Sequence, residues 1–441
     1  MAPQGRGGSV PSWVTVFDES PPVKPSIEAI PSVDPGDDGE LEQPVEGTSA
    51  VAISSITMGR CRHLPTMTLR TAVVGGGTVS EVHLSGLSKN PRTELVAICD
   101  LDEEIAREKA ERYDIAAYTD LEELITSESL DWAHVCTPVQ THVEVAKTLI
   151  NAGIPIQIEK PITETYEEFE ELATYAAEHD VVVSEKHNHN FDPVVRRARK
   201  RMEAGACGEI TGVEVIYTGC SNPDDPNRGP WNFELAGGEF EEGLPHPLYM
   251  TLRAGGYPRS EEDVVATTAL RGEYDYDFTY DGAMVQYVSD DDVLCQTTML
   301  SGTRPIRQLI VHGSELSLTA DLVSQTLVEH DRDYKSSAVG RVLNNVDNAL
   351  DRTVGTVQNV RAVLQRRRSD DWDTERLLNA HYYQNHAESI ALEAGDPARM
   401  PVPLSESRWM VRLLEEIRGT AAEQNPEGSV IGTDAVAPGS E

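Results

Sequence analysis

Positive charge, paired cysteines and long apolar runs are all scarce in this chain of 441 residues. No apolar run approaches the roughly eighteen residues a membrane-spanning helix needs, so stable membrane insertion is not expected. Lys and Arg number 37 against 74 Asp and Glu, a formal net charge of −37. The acids are spread through every segment, and such a surface repels nucleic acid and anionic membrane, so neither is an expected partner. Distributed acid of this kind resembles halophilic proteins, in which screening makes the self-repulsion tolerable. The cysteines (Cys61, Cys99, Cys136, Cys207, Cys220, Cys295) contain no Cys-x-x-Cys pair. Buried reduced thiols, a cytoplasmic setting and no structural metal site are the expectations. No basic segment followed by an apolar core opens the chain, so no secretory signal is expected.

What is present falls into segments. Residues 1–66, rich in Pro, Gly, Ser and acid, read as a disordered acidic leader, with Met67 an alternative start of translation. From Thr68 short apolar strands alternate with amphipathic helices, the pattern of a parallel sheet covered on both faces. Residues 67–187 are therefore expected to be a nucleotide-binding α/β Rossmann-type domain. After Asn188 a basic helix leads into a series of strands with alternating faces; in one, Val293, Cys295, Thr297 and Met299 share a face. An α+β domain with an open, mostly antiparallel sheet is expected over 188–330 with 370–419, one sheet face being solvated or forming a homo-oligomer. Residues 331–369 read as an inserted amphipathic helix: Val339, Val342, Leu343, Val346, Leu350, Val354, Val357, Val360 and Leu364 recur at helical spacing, ahead of Arg366-Arg367-Arg368. It is an arm packed on the protein or on a partner subunit, with peripheral membrane contact the alternative. Residues 420–441 read as a disordered tail.

The first chemical motif is Val73–His83, a strand running into glycines and then a helix. Gly75 permits the tight turn, Gly77 lets backbone approach a pyrophosphate, and Ser80 takes the third, small position of a dinucleotide fingerprint. The turn Gly75, Gly76, Gly77, Thr78 and Val79 is the expected phosphate cradle, on a helix N-terminus. Asp100 ends the second strand, where a carboxylate accepts from the adenosine ribose. It would repel a 2′-phosphate and Leu101 supplies no cation for one, so NAD is expected ahead of NADP.

The second motif is Cys136–Pro161, a loop–helix–strand unit ending in Glu159-Lys160-Pro161. A lysine where a buried strand emerges can meet a ligand while its stem stays packed, though a strand end with solvated charges is the plain alternative. With the glycine turn and His83, Asp100, Thr137-Pro138 with His142, Ala152-Gly153, Asn190–Ala198 and Gly205–Ile210, this ordered set resembles the Gfo/Idh/MocA oxidoreductases, which act mainly on sugars and cyclitols. The resemblance runs from about Leu69 to Ile210, with thinner support to Glu416. It implies that Thr137, Pro138, His142 and Glu159 lie by the cofactor and that Lys160 stands beside the reacting carbon. An ammonium there favours the developing alkoxide. Thr137-Pro138 as a simple turn and His142 as an ordinary helix-face histidine stay open.

The third motif is Gly237–Met250. The family usually places an aspartate four residues before a histidine and another three after it; here these are Glu242, His246 and Tyr249. The resemblance makes His246 the general base, with Glu242 orienting it and Tyr249 near substrate. Glu242 is a methylene longer than the usual Asp, and Leu244 stands in a usual glycine place. A surface-loop histidine and a solvated carboxylate are the plain alternatives. Lys186, His187, Asn188 and His189 leave a strand at the sheet's carboxyl edge and are candidate sugar contacts. So are Arg228 and Trp231, in a lid-like loop, Ser221–Phe233. The expected activity is hydride transfer between nicotinamide and a secondary alcohol of a sugar-like small molecule. The alternatives are an NAD-dependent glycoside-cleaving enzyme with transient oxidation and a non-catalytic nucleotide-binding regulator.

Overall fold

In the computed structural model the described residues are 68–331, 338–366 and 372–426, with the side chains of 358–359 and 361–379 left out. The expected leader, Met67, Cys61, Leu364 and Arg366–Arg368 as side chains, and residues 427–441 lie outside that description.

The first sheet alternates with helices in chain order: β1 (Leu69–Val74), α1 (Ser80–Lys89), β2 (Thr93–Cys99), α2 (Glu103–Tyr113), β3 (Ala116–Tyr118), α3 (Leu121–Ser127), β4 (Trp132–Val135), α4 (His142–Asn151), β5 (Ile156–Ile158), α5 (Tyr166–Glu178) and β6 (Val183–Glu185). The strand order is β3-β2-β1-β4-β5-β6, all parallel, so the direction of winding reverses beside β1 and β4. Local chemistry sets the helix starts. Asp102 accepts from the Glu104 and Ile105 N–H groups at the head of α2. Thr165 and Glu168 form a reciprocal capping box on α5. β4, β5 and the edge strand β6 are buried along their whole length, as parallel strands covered by helical layers are.

Basic helix α6 (Pro193–Glu203) leads to β7 (Ile210–Cys220), then α7 (Gly238–Gly243) and α8 (Pro245–Gly255). β8 (Val265–Ala269), β9 (Gly282–Val288), β10 (Leu294–Ser301), β11 (Arg307–Gly313), β12 (Ser317–Asp321) and β13 (Thr326–His330) complete a sheet of order β13-β12-β11-β7-β10-β9-β8. All its pairings are antiparallel except β7 with β10, because β7, the first strand made, ends up in the middle. Val293, Cys295, Thr297 and Met299 are buried on one face, against α8, while Leu294 on the other is 65% exposed.

The long helix α9 (Ala338–Arg366) packs on β13, and Val339, Val342, Leu343, Val346, Leu350, Val354, Val357 and Val360 stand exposed along one side. α10 (Trp372–Ala394) lies on α1 and the 188–191 turn, so part of the 370–419 segment covers the first sheet's layer. Its buried stripe is polar: His381, Gln384, Asn385, Glu388 and Ser389. α11 (Leu404–Gln424) packs on α5, α8 and β8. Residues 420–424, expected to open the tail, belong to α11: Ala421 is buried and Gln424 Oε1 accepts 2.9 Å from Thr268 Oγ1.

Candidate active site

The glycine turn has the geometry its residues suggest. Gly75 sits at φ +98°, its N–H 2.8 Å from the Cys99 carbonyl, and a Cβ there would lie 2.7 Å from the Cys136 backbone. Only glycine fits both constraints. A Cβ on Gly77 would meet nothing within 4 Å, and Gly77 and Thr78 are exposed. Val79, the N-cap of α1, has no side-chain cap; Ser80 and Val82 N–H bond the Gly77 and Val79 carbonyls, and the positive end of the helix still faces an anion placed at the turn. Ser80 Oγ donates 2.7 Å to the Gly77 carbonyl and steadies the turn. Asp100 is tied in as well, accepting from Gly76 N–H at 2.6 Å and Asp102 N–H at 2.8 Å. Each of its oxygens keeps a lone pair for a ribose hydroxyl. Leu101 beside it is 93% exposed.

At the next strand end Thr137 Oγ1 and both amide atoms of Gln140 are shielded yet have no partner among the described residues. Shielded polar atoms without partners mark a place for a ligand. Together with the open Gly77 surface and the uncapped helix start, they fit a dinucleotide laid across the carboxyl ends of β1, β2 and β4. Gln140 was not singled out by sequence reasoning; its position two residues past Thr137-Pro138 was the available signal.

His142 and Glu159, which the resemblance places by the cofactor, are engaged with protein groups. His142 is buried, its Nε2 2.9 Å from the Thr137 carbonyl and its Nδ1 3.1 Å from that of Pro161. With both ring nitrogens committed, it clamps the Thr137 loop to the Lys160-Pro161 segment. Glu159 turns inward to His83, Oε1 to Nε2 at 2.6 Å, and His83 Nδ1 lies 2.8 Å from His134 Nδ1. Burial would raise the Glu159 pKa, but the His83 hydrogen bond and the Lys160 and Lys186 charges bring it down to about 2. His83, Glu159 and His381 bring three ligating atoms within 4.8 Å. The His83–Glu159 hydrogen bond closes that group, and the Lys186 charge acting on all three opposes a cation.

Lys160 reaches across to the second domain. Its Nζ donates 2.8 Å to the Glu242 carbonyl and forms an ion pair with the Glu242 carboxylate. Arg228, from the 221–233 loop, pairs with the same carboxylate and, at 2.7 Å, with Glu239. Asn232 Nδ2 holds the other Glu239 oxygen at 2.6 Å. Glu242 is thus not the orienting partner of His246: its extra methylene carries the carboxylate to Lys160 and Arg228. Trp231 donates its indole N–H 3.0 Å to the Arg228 carbonyl and braces the loop.

His246 is oriented by Tyr249, Nδ1 to Oη at 2.8 Å. Tyr249 is fully buried, so it serves the histidine and does not line the substrate space. Its hydroxyl accepts from His189 N–H at 3.0 Å and donates to Asn188 Oδ1 at 3.1 Å. With that proton used, His246 Nδ1 donates and Nε2 carries the free lone pair. Burial first, then the charges of Lys160, His189, Arg228 and Arg307, hold the His246 pKa well below its usual value, so the ring is neutral.

Residues 186–189 are buried and bonded within the protein. Lys186 Nζ bonds Asn385 Oδ1 at 2.5 Å. His187 stacks on Tyr249 at 4.2 Å and bridges Glu185 and Glu406 at 2.9 and 2.6 Å. Burial would lower its pKa, but those two carboxylates raise it to about 9. The His189 ring packs edge-on to His246 at 4.6 Å, and its Nε2 meets Tyr217 Oη at 3.2 Å. Tyr217, Glu239 and Arg307 were not anticipated, because each reaches this cluster through strand pairing or a loop contact with no local motif.

Residues 69–187 match the Gfo/Idh/MocA family, described as "Oxidoreductase family, NAD-binding Rossmann fold". Inositol 2-dehydrogenase of Rhizobium meliloti (strain 1021) is 25% identical over 260 residues, 58% of this chain and 76% of that protein. The 4-carboxy-2-hydroxymuconate-6-semialdehyde dehydrogenase of Sphingobium sp. (strain NBRC 103272 / SYK-6) is 31% identical over 138 residues, 31% of this chain and only 44% of its own length. The solved structure of GenD2 from gentamicin A biosynthesis, in complex with NAD, aligns with a TM-score of 0.62 and 24% identity over 85% of this chain and 98% of that one, a likeness of fold. Residues 69–187 thus match the NAD-binding Rossmann domain of the Gfo/Idh/MocA oxidoreductases, and their glycine turn and Asp100 fit the dinucleotide.

Proposed function

We propose that this protein is an NAD-dependent dehydrogenase of a secondary alcohol on a sugar, cyclitol or sugar derivative. The observation that carries the reading is the meeting of two proton-handling groups from separate domains. Lys160 stands two residues past β5, and its ammonium pairs with Glu242, four residues before His246 at the start of α8. When bound, NAD supplies the acceptor for the hydrogen and two electrons that leave the carbinol carbon. The chain's own residues do the rest. Lys160 Nζ holds the hydroxyl oxygen and favours its negative charge as the C=O bond forms. His246 Nε2 takes the hydroxyl proton, its tautomer fixed by Tyr249 and Asn188. Glu242 keeps Lys160 aimed. The reading is tested by NAD reduction over a polyol and sugar panel in high salt. A Lys160→Met variant as fast as wild type on the same substrate would sink it.

The exposed sheet face bearing Val265, Met284 and Leu294 is the proposed homo-oligomer surface; light scattering of a Leu294→Glu variant tests it. The described cysteines are unpaired, which suits a reducing cytoplasm. Salt adaptation follows from the charge of −37 and requires a melting temperature that climbs with KCl concentration.

A further inference from the structure

We propose that the substrate carries an anionic substituent, a carboxylate or a phosphate, which Arg307 and Arg228 receive beside the His246–Lys160 pair. The inference rests on the dehydrogenase reading and adds the charge of the molecule that site takes.

Cations are outnumbered two to one in this chain, yet three gather here. Arg307 opens β11 directly opposite Tyr217 of β7. Its guanidinium lies 4.5 Å above the Tyr217 ring, and that ring centre is 6.2 Å from the His246 ring. On the other side Lys160 and Arg228 share the carboxylate of Glu242, four residues before His246, so all three cations stand near that histidine.

What they lack is matching negative charge. Glu242 is shared between Lys160 and Arg228, and Glu239 goes to Arg228 alone. Among the described residues no carboxylate pairs with Arg307, and its Nε is shielded with nothing to accept from it. Elsewhere buried carboxylates meet their arginines: Arg253 with Glu406, Arg271 with Asp281, Arg418 with Glu241. In a chain with twice as many acids as bases, a shielded guanidinium N–H left without a partner marks where something else belongs. A planar fork of donors over an aromatic ring suits an oxyanion better than a neutral hydroxyl, which asks equally for acceptors. Arg228 is half free to join, being 37% exposed on a loop and tied to α7 only through side chains.

The full-length protein with NAD is assayed on D-glucuronate, D-glucose 6-phosphate, D-glucose and myo-inositol. One acidic sugar should exceed its neutral parent by roughly tenfold or more in kcat/KM, the value of one good charge-assisted contact. Which acidic sugar wins separates carboxylate from phosphate. Arg307→Gln should collapse that ratio, chiefly through KM, and Arg307→Lys, which keeps the charge, should restore part of it. Loss of a cation facing His246 should also move the acid limb of the pH profile upward. A neutral sugar preferred over both acidic ones, or an acidic-to-neutral ratio unmoved by Arg307→Gln, overturns the inference while leaving the dehydrogenase reading standing. If no sugar reduces NAD, thermal shift of the NAD-loaded protein with D-glucuronate and with inorganic phosphate decides separately. Stabilisation of wild type but not of Arg307→Gln upholds the anion site although the proposed activity has failed, and no such difference overturns it.

Discussion

Lys160 and Glu242 belong to different domains and meet as a buried ion pair, the ammonium also donating 2.8 Å to the Glu242 carbonyl. The pair pins α7 to the end of the cofactor sheet and sets where His246, four residues on, begins its helix. Glu242→Ala leaves a buried ammonium without its carboxylate, and breaking such a pair costs about 3–5 kcal/mol. Urea unfolding should show that loss. A stability within about 1 kcal/mol of wild type, the spread of surface substitutions, would mean that the pair is not closed in solution.

His246 should act as a base that is already neutral at physiological pH. Its pKa is lowered by burial and by neighbouring cations, so kcat/KM should stay flat through neutrality and fall only below the ordinary histidine value of about 6.5. His246→Asn should lower kcat about a hundredfold or more and remove that acid limb. An acid limb centred above pH 7 would assign the base elsewhere.

Gly75 and Gly77 should separate folding from cofactor binding. At Gly75 a methyl group meets the Cys136 backbone at 2.7 Å in a left-handed conformation, so Gly75→Ala should lower the melting temperature. At Gly77 the same methyl meets nothing, so Gly77→Ala should keep its stability and lose roughly tenfold or more in NAD affinity, by calorimetry. Equal NAD affinity in Gly77→Ala would place the pyrophosphate away from this turn.

His187 ties stability to pH. Its folded pKa is raised to about 9 against an unfolded value near 6.5. The stabilisation is therefore fully present below about 6.5 and disappears as pH rises through about 9, amounting to up to about 3 kcal/mol. Burial lowers the pKa of Lys186 and raises that of Glu388 nearby, so the measurement is the difference between wild type and His187→Gln across that window. A pH-independent difference would mean that His187 is neutral between Glu185 and Glu406.

The first sheet was legible because each signal in it is local. Apolar strands of a few residues, Asp102 and Thr165 as helix caps, and glycines at the first turn act within a handful of residues. The strands expected in the second domain all formed, but β7's central position did not show, since nothing in a strand's own residues names its neighbours. At the site, Lys160 and His246 were found by resemblance and lie in one electrostatic neighbourhood. His142, Glu159, His187 and Tyr249 were given ligands and instead hold the backbone or one another.

Sequence alone determined that residues 69–187 wind into a nucleotide-binding sheet, because the glycine turn, Asp100 and the strand–helix alternation are written in short spacings. It determined an acid-rich surface as well. Only the tertiary structure decided that Glu242 answers Lys160 and not His246, that Tyr249 and Asn188 choose the His246 tautomer, and that Arg307 arrives from a strand sixty residues later. Those are contacts between groups far apart in the chain, and burial decides them: once water is excluded, each charge and ring nitrogen takes the nearest partner the packing offers.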